Sequence, residues 1–378
     1  MRKKKNILIV SRSFYPVQSP RSYRTTELVK EFARQGHEVT LLTLKDDDHH
    51  ISFEEEFDVT IKDFGPLKLP KVKPNGKGGL LHRLKWMSQR ICEILFEYPD
   101  IELVYRIKNA LKNETGYDLM ISIAVPHPIH WGVAWARNET HPIADTWAAD
   151  CGDPYMGFDI DRISKPFYFK YVEKMFCRKA DYITVPIEDA KDAYYSEFRN
   201  KIEVIPQGFK FDEVDIEQTP PNTNGIPVFG YAGNLLGGGR NPHELLEYLV
   251  NLDKNFKFII YTEHEGPVVP YMDKAGDRIE IRNYVPRKQL LKDLSGMNFL
   301  VNLENDTDTQ LPSKLIDYYL AGRPVLSVPS SGLNSEKIQH FLEGDYSNQY
   351  QYHNMDRYRI ENVCKAFLDL RNKKVGTR

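Results

Sequence analysis

The chain has 378 residues, 41% of them hydrophobic, and a formal net charge of −2. These values predict two or three domains with real cores and exclude a global electrostatic attraction to nucleic acid or anionic lipid. No apolar run approaches the ~20 residues that span a bilayer, and the apolar residues 7–10 are too few for a signal peptide. The cysteines are scattered with no Cys-x-x-Cys spacing, so we predict reduced thiols and a cytoplasmic protein.

The first elements predict a βαβ unit. Residues 7–11 form a short apolar strand pattern, 22–35 an amphipathic helix and 38–44 a second strand pattern. No Gly-x-Gly-x-x-Gly follows the first strand, which argues against a dinucleotide-binding enzyme. Arg21 and Arg24 precede or begin the helix, where they either bind anionic groups or simply cover the helix start.

Two polar clusters contain residue types that can bind metals. Residues 45–50 read Lys-Asp-Asp-Asp-His-His, which we interpret as a solvated loop rather than an Asp-x-Asp metal site. His127 and His130 have a spacing that suits a metal, but no third ligand follows at a suitable distance. We therefore predict no metal site.

Residues 64–92 form a basic stretch with seven Lys and Arg residues and no Asp or Glu. Its second half places apolar residues from Leu80 to Ile94 on one helical stripe. Two interpretations stay open: residues 66–95 dock to an anionic membrane surface, or the stripe packs on the core of its own domain.

The remainder of the first half continues the alternation of strands and helices. We predict strands at 118–123, 181–185 and 202–205, and an aromatic-rich core helix at 164–178. A further helix is predicted to run through Phe198. The Pro- and Asn-rich residues 217–225 read as a linker.

The second half opens with a strand and a glycine-rich loop, Pro227 to Asn234 and then Leu-Leu-Gly-Gly-Gly-Arg-Asn-Pro. Glycines let backbone N–H groups approach an anion closely, and Arg240 supplies a guanidinium matched to phosphate. The alternative is a flexible surface loop. Strand patterns follow at 256–261 and 278–282.

Residues 310–328 read Gln-Leu-Pro-Ser-Lys-Leu-Ile-Asp-Tyr-Tyr-Leu-Ala-Gly-Arg-Pro-Val-Leu-Ser-Val. Pro312 suits the first helical turn, and Gly322 suits the position just past the helix end. Leu315, Ile316, Tyr319 and Leu320 are predicted to form the buried face. Just upstream, residues 298–303 form a short apolar strand pattern and 304–310 a polar loop. The order strand, polar loop, helix and strand predicts that Lys314 lies near the carboxyl ends of the strands.

This run resembles the donor-site helix of the large retaining GT-B glycosyltransferase family that uses nucleotide-sugars. The Pro-Ser-Lys variant resembles the branch that builds bacterial surface polysaccharides. Two further segments carry the resemblance: Trp147-Ala-Ala-Asp-Cys-Gly-Asp-Pro-Tyr155, and Pro206-Gln-Gly-Phe-Lys-Phe-Asp212 where that family crosses between domains. The resemblance implies an α/β protein of GT-B fold, with two Rossmann-like αβ domains facing each other across a cleft.

The resemblance also implies domain bounds and roles. Residues 1–210 would form the acceptor-side domain, 211–354 the donor-binding domain, and the last helix, 355–373, would pack back on the first. Catalytic roles would fall on Asp150, Arg240 and Lys314, and acceptor-side roles on Arg21, Arg24 and His127. Donor-binding roles would fall on Gly233, Asn234, Gly238, Gly239, Tyr284, Val285, Thr309, Gln310, Ser313 and Asp317.

The chain differs from the family at the two positions where the family has glutamates. Asp317 stands in place of the family's second glutamate, whereas Thr309 occupies the position of the first. Asp308 is a substitute if the loop shifts. For Asp153, turn capping is the better interpretation.

The resemblance implies a glycosyltransferase that moves a hexose-type sugar from a nucleotide diphosphate sugar to a glycan or lipid-linked acceptor in surface polysaccharide synthesis. The resemblance implies retention at the anomeric carbon and no metal or other cofactor. The expected location is cytoplasmic, with peripheral association at the inner face of the cell membrane. The alternatives are a sugar-nucleotide epimerase on the same fold and a non-catalytic subunit that binds nucleotide-sugar.

Overall fold

A computed structural model describes residues 3–70, 80–157, 165–211, 219–223, 225–235, 241–304 and 313–373. The chain divides into two compact units. Unit 1 comprises Met1–Lys210 with Asp356–Arg378, and unit 2 comprises Phe211–Met355.

Within its described residues, unit 1 holds one sheet of seven parallel strands flanked by helices. The strands are β1 (Asn6–Ser11), β2 (Glu38–Thr43), β3 (Thr60–Asp63), β4 (Tyr117–Ala124), β5 (Ala144–Cys151), β6 (Tyr182–Val185) and β7 (Ile202–Val204). The helices up to residue 210 are α1 (Pro20–Arg34), α2 (Asp47–Phe57), α3 (Leu80–Phe96), α4 (Glu102–Ala110), α5 (Pro128–Ala136) and α6 (Phe169–Lys179). The spatial order is β3-β2-β1-β4-β5-β6-β7, so the chain reverses its direction of winding between β1 and β4.

The described part of unit 2 holds a smaller parallel sheet of five strands in the order β10-β9-β8-β11-β12. The strands are β8 (Val228–Ala232), β9 (Lys257–Tyr261), β10 (Ile279–Arg282), β11 (Phe299–Leu303) and β12 (Val325–Val328). The helices are α7 (His243–Asn251), α8 (Met272–Ala275), α9 (Arg287–Ser295), α10 (Ser313–Ala321) and α11 (Ser335–Leu342). Winding reverses between β8 and β11.

Short 3₁₀ helices occur in both units. They are Leu111–Asn113, Asp189–Ala193, Ser196–Lys201, Val269–Tyr271, Gly276–Arg278, Met355–Tyr358 and Leu370–Asn372.

Both faces of each sheet are buried, as expected for parallel strands. In β1, Leu8 and Val10 belong to one apolar cluster, whereas Ile7 and Ile9 belong to another on the opposite face. In unit 2, two clusters likewise share the alternating residues of β9. This double burial explains why these strands read as continuous apolar runs.

Helix α1 begins at Pro20, two residues before the predicted start at 22, and ends at Arg34, one residue before the predicted end at 35. The Ser19 hydroxyl accepts a hydrogen bond from the Ser22 N–H, and Pro20 occupies the first turn. Gly36, just past the helix, adopts a φ of +81° that favours glycine. The cap fixes the direction in which Arg21 and Arg24 leave the sheet edge.

The last helix, α12 (Ile360–Asp369), lies against α1 in unit 1. Its buried residues Ile360, Val363 and Phe367 join the apolar cluster that contains Leu28 and Phe32 of α1. The backbone at Phe209 exchanges hydrogen bonds with the segment before α12, which secures the chain's return.

Several local predictions were wrong. Residues 47–50 begin α2, because Asp46 caps the helix by accepting from the Asp48 N–H. The helix predicted to reach Phe198 is two 3₁₀ turns. In the predicted core helix at 164–178, Phe167 and Tyr171 are exposed.

The described residues contain no helix both long and apolar enough to cross a membrane.

Candidate functional site

The carboxyl ends of the parallel strands form an edge in each unit, and open α/β sheets bind ligands there, at the point where winding reverses. In unit 1 this point lies between Ser11 of β1 and Ala124 of β4. In unit 2 it lies between Ala232 of β8 and Leu303 of β11. The predicted residues that the structure describes gather at or beside these two edges.

In unit 1, Arg24 and Asp150 form a buried ion pair. Arg24 Nε and Nη2 donate to the two carboxylate oxygens of Asp150 at 2.8 and 2.7 Å. The Thr184 hydroxyl donates to the same carboxylate at 2.7 Å. Arg24 also donates to the carbonyl oxygens of Ile205 and Pro206.

These contacts give both residues a structural role in this arrangement, and their predicted roles at the acceptor stay predictions. Burial is the largest single influence and would raise the pKa of Asp150, but the Arg24 guanidinium, the Arg21 charge and the Thr184 hydroxyl together lower the pKa of this carboxyl. An ionised carboxylate with both oxygens engaged is not displayed to an acceptor or a reacting sugar. Arg24 is equally committed, so neither residue binds ligand in this arrangement. Together they join α1, β5 and β6 beneath the edge.

Arg21 has a different environment from Arg24. It is half-buried, and its guanidinium lies directly over Gly152, just past β5. A Cβ atom on Gly152 would lie 1.4 Å from Arg21 Nη2, so only glycine leaves room for this arrangement. Among the predicted acceptor-side residues, Arg24 and His127 are buried. Arg21 lies at the strand edge and keeps part of its surface exposed.

His127 is buried, and its Nε2–H donates to the Asp153 carbonyl at 3.1 Å. Burial, with a smaller contribution from the charge of His130, lowers the pKa of His127 to about 3. A neutral ring committed to a backbone carbonyl holds the segment after β5 in place. The direct contact of His127 with an acceptor stays a prediction.

His130 lies beneath His127 in a buried hydrogen-bonded chain. The Ser122 hydroxyl accepts from Trp147 Nε1–H at 2.8 Å and lies 2.8 Å from His130 Nδ1. His130 Nε2 lies 3.4 Å from Cys151 Sγ. Burial lowers the pKa of His130 to about 3. No group of three or more His, Cys, Asp or Glu residues with metal-site geometry occurs in the described part of the chain.

In unit 2, β8 ends in a tight turn at Gly233 and Asn234. Gly233 has a φ of +145°, and its N–H donates to the Tyr261 carbonyl at 2.9 Å. The Tyr231 hydroxyl donates to the Asn234 carbonyl at 3.1 Å. The side-chain oxygen of Asn234 is buried, and no donor among the described residues reaches it. A buried acceptor without a donor is costly, so it favours a ligand hydroxyl at this point.

Lys314 lies in the first turn of α10 with only 8% of its surface exposed. Its ammonium donates to the Leu303 carbonyl at 3.0 Å and lies 4.8 Å from the centre of the Tyr231 ring. In this arrangement the side chain ties the start of α10 to the ends of β8 and β11. The contact of Lys314 with a donor phosphate stays a prediction.

Tyr318, rather than the predicted Tyr319, faces the core from α10. Its hydroxyl accepts from the Ala232 N–H at 2.9 Å and donates to the Val301 carbonyl at 3.1 Å. Tyr319 is exposed. Sequence periodicity missed Tyr318 because adjacent tyrosines carry no signal that distinguishes the inward one.

Asp317 of α10 pairs with Arg287 of α9, since Arg287 Nε and Nη2 both meet Asp317 Oδ1, at 2.8 and 2.7 Å. Burial raises the pKa of Asp317, partly offset by the Arg287 charge. The pair brings Asp317 beside the segment that leads into α9. There Val285 packs on the core and Tyr284 is exposed. Three predicted donor-binding residues thus adjoin one another, and Arg287 is the member that sequence reasoning did not single out.

Several predicted residues lie outside the described part of the chain. They are Gly238, Gly239, Arg240, Thr309 and Gln310. Ser313 is the first residue of α10.

A comparison with sequence profiles of protein families finds a match to Glycosyltransferase Family 4 over residues 22–213, which is more than half of the chain. The chain belongs to glycosyltransferase family 4. It is therefore a glycosyltransferase, as the sequence predicted. A comparison with curated protein sequences finds no match.

Solved glycosyltransferase structures share the fold of this family 4 member over almost its whole length. The lipopolysaccharide outer core galactosyltransferase WaaB, in its apo form, has a TM-score of 0.58 at 14% identity, covering 97% of this chain and 98% of that chain. A glycosyltransferase from Rickettsia africae ESF-5 has a TM-score of 0.57 at 13% identity, covering 98% and 93%. A variant of S. aureus TarM has a TM-score of 0.56 at 12% identity, covering 98% and 100%. The predicted GT-B fold class is thereby confirmed.

Proposed function

We propose that this family 4 glycosyltransferase transfers a hexose-type sugar from a nucleotide diphosphate sugar to a glycan or lipid-linked acceptor in surface polysaccharide synthesis. The observation that carries the donor assignment is the group formed by Asp317, Arg287 and Tyr284 in unit 2. It combines a fixed carboxylate, a guanidinium and an exposed aromatic ring beside the strand edge. These groups suit ribose hydroxyls, a phosphate and a nucleobase, respectively.

In the proposed donor complex, Asp317 uses Oδ2 to accept from ribose hydroxyls, because the two contacts described between Arg287 and this carboxylate both involve Oδ1. Tyr284 and Val285 seat the base. The Asn234 oxygen accepts from a hydroxyl of the donor, which would satisfy this buried acceptor. Gly233 allows the close approach of the backbone at this turn.

We assign the diphosphate to the segments that flank the start of α10. Gly238, Gly239 and Arg240 would bind it through backbone N–H groups and a guanidinium, and the N-terminus of α10 favours negative charge. Thr309, Gln310 and Ser313 would contact the sugar. Lys314 has no direct role in this proposal, since it holds the strand ends together.

The acceptor is proposed to bind at the edge of unit 1, with Arg21 contacting an anionic group such as a phosphate. In the transfer step the acceptor oxygen forms a bond to the anomeric carbon, and the bond from that carbon to the diphosphate breaks. The acceptor proton passes to the departing phosphate oxygen, with retention of configuration and without a metal. Arg240 would stabilise the charge that develops on the leaving group.

The TarM complex supports this choice of substrate class, because it contains UDP and alpha-GlcNAc-glycerol. We infer a cytoplasmic location with peripheral association at the inner membrane face, where a lipid-linked acceptor would lie. The basic stretch at 64–92 supports this location.

The donor assignment is tested by thermal shift with a panel of uridine and guanosine diphosphate sugars. One or more should stabilise the wild-type chain by about 2–4 kcal/mol at 100- to 1,000-fold excess over Kd. Asp317→Ala should lose this shift, and the exposed surface variant Asp277→Asn should keep it. A panel that produces no shift would contradict the proposed donor class.

Transfer is tested by following labelled sugar from the bound nucleotide-sugar into a membrane lipid extract of the source cells. Product in the extract with release of nucleoside diphosphate supports a transferase. Formation of an epimeric nucleotide-sugar without any acceptor would support an epimerase instead. Binding without turnover would support the non-catalytic subunit.

A further inference from the structure

Helix α3 exposes most of the apolar side chains described for it and buries a polar one. Leu84, Met87 and Ile91 are 52%, 53% and 54% exposed. Gln89 is the buried residue among the described side chains 83–96 of this helix. An amphipathic helix that packs on its own domain shows the opposite arrangement. The structure therefore does not support the interpretation that this stripe covers the core of unit 1.

The exposed apolar residues of α3 form a continuous line. Leu84, Met87, Ile91 and Leu95 are separated by three or four positions, so they lie on one face of the helix and extend over roughly 16 Å. All four are exposed. We call these four residues the α3 stripe. Gln89 lies on the opposite face, which directs the stripe away from unit 1.

Exposed aromatic rings adjoin the C-terminal end of this line. The Tyr168 hydroxyl donates to the Leu95 carbonyl, which fixes the approach to α6 against the end of α3. Phe167 and Tyr171 are 71% and 60% exposed. We call Phe167, Tyr168 and Tyr171 the aromatic corner. Exposed rings with a polar group at one end suit the boundary between lipid headgroups and acyl chains.

The charges beside the α3 stripe are mainly positive. By helical geometry, Arg83 and Arg90 lie on one side of the stripe and Lys85 on the other, and all three are exposed. Glu93 is the single acidic residue in the sequence of α3, and it pairs with Arg90 at 3.0 Å. Basic residues beside an apolar face complement an anionic lipid surface.

We propose that the α3 stripe and the aromatic corner insert into the interfacial layer of an anionic membrane, so that binding depends on apolar burial and not on charge alone. The choice of a lipid surface as the partner rests on the proposed function, because a lipid-linked acceptor would lie there. Burial of apolar area persists in high salt, whereas attraction between exposed charges is screened.

The test is co-sedimentation of the full-length chain with vesicles of phosphatidylcholine alone or with phosphatidylglycerol, at low and high sodium chloride. The triple variant Leu84→Gln/Met87→Gln/Ile91→Gln should lose at least about tenfold in vesicle affinity at both salt concentrations. The charge variant Arg83→Gln/Lys85→Gln/Arg90→Gln should lose its preference for phosphatidylglycerol and keep a residual, salt-resistant affinity. The matched control is Ile226→Gln/Val269→Gln in unit 2, where the wild-type residues are 46% and 53% exposed.

Equal vesicle binding by the wild type and the triple variant would overturn the proposal. A second result would also overturn it: the wild type binds no vesicles but forms a dimer in sedimentation velocity, and the triple variant does not form this dimer. In that case a second copy of the chain would cover the α3 stripe. Thermal shift with nucleotide-sugar is measured on the same samples. A triple variant that keeps donor binding but loses vesicles separates this proposal from the proposed function.

Discussion

Arg24 and Asp150 are 126 residues apart in the sequence, yet Arg24 Nε and Nη2 meet the two Asp150 carboxylate oxygens at 2.8 and 2.7 Å. Both side chains are 3% exposed. In this position the ion pair stabilises the strand edge of unit 1, and neither side chain is accessible to a ligand.

The buried pair predicts that Asp150→Asn destabilises the fold instead of only reducing turnover. Removal of one partner leaves the Arg24 charge buried and uncompensated, which costs about 3–5 kcal/mol. Chemical denaturation measures the loss. Asp153→Asn serves as the neighbouring control and should unfold close to wild type, and a wild-type midpoint for Asp150→Asn would refute the structural role.

Gly152→Ala should displace Arg21 while the chain stays folded. The added Cβ would overlap the guanidinium, which is the movable end of a flexible side chain. If Arg21 contacts an anionic acceptor group, the apparent KM for acceptor should rise by about 10- to 100-fold, the loss expected for one charge-assisted hydrogen bond. Gly266→Ala is the matched control, since nothing lies within 4 Å of a Cβ there. An unchanged KM would remove Arg21 from the acceptor site.

Lys314→Met should lower stability by about 1–3 kcal/mol, because the Leu303 carbonyl loses its buried donor. The substitution keeps much of the side-chain length and apolar volume. Lys314→Arg retains a donor and should recover part of the loss if the larger guanidinium is accommodated. Denaturation midpoints of the three proteins test this order. If Lys314→Met kept the stability of the wild type but bound the donor much more weakly, the result would support a direct contact between Lys314 and the donor phosphate.

Glu173 predicts a pH dependence of stability. It is fully buried in unit 1, and burial raises its pKa from 4.5 to about 7. Between these values the folded chain binds a proton that the unfolded chain has released. The contribution of this group is therefore fully present below about pH 4.5 and falls by about 1.4 kcal/mol per pH unit as the pH rises toward 7.

The test compares the free energy of unfolding of wild type and Glu173→Gln between pH 5 and pH 8. The variant should gain on the wild type as the pH rises, and the difference should level off above about pH 7. Because both proteins contain His127 and His130, the acid sensitivity of these buried histidines cancels in the difference. Parallel profiles would show that Glu173 does not carry the effect.

Much of the local structure follows from patterns within short segments. The strands β1 and β4 and the helices α1 and α10 all lie close to their predicted positions, with α1 starting two residues earlier than predicted. These predictions succeed because periodicity and capping depend on neighbours along the chain. The same patterns carried the resemblance that led to the family.

The amino-acid sequence by itself determined many of the strands and helices, the GT-B fold class and membership of a glycosyltransferase family. Only the tertiary structure decided the state of the individual polar groups. It placed Asp150 with Arg24, held Lys314 at the Leu303 carbonyl, joined Asp317 to Arg287 and turned the α3 stripe outward. The reason is physical: whether a charge is open to a ligand depends on burial and on partners that lie far away in the sequence, and no local pattern records them.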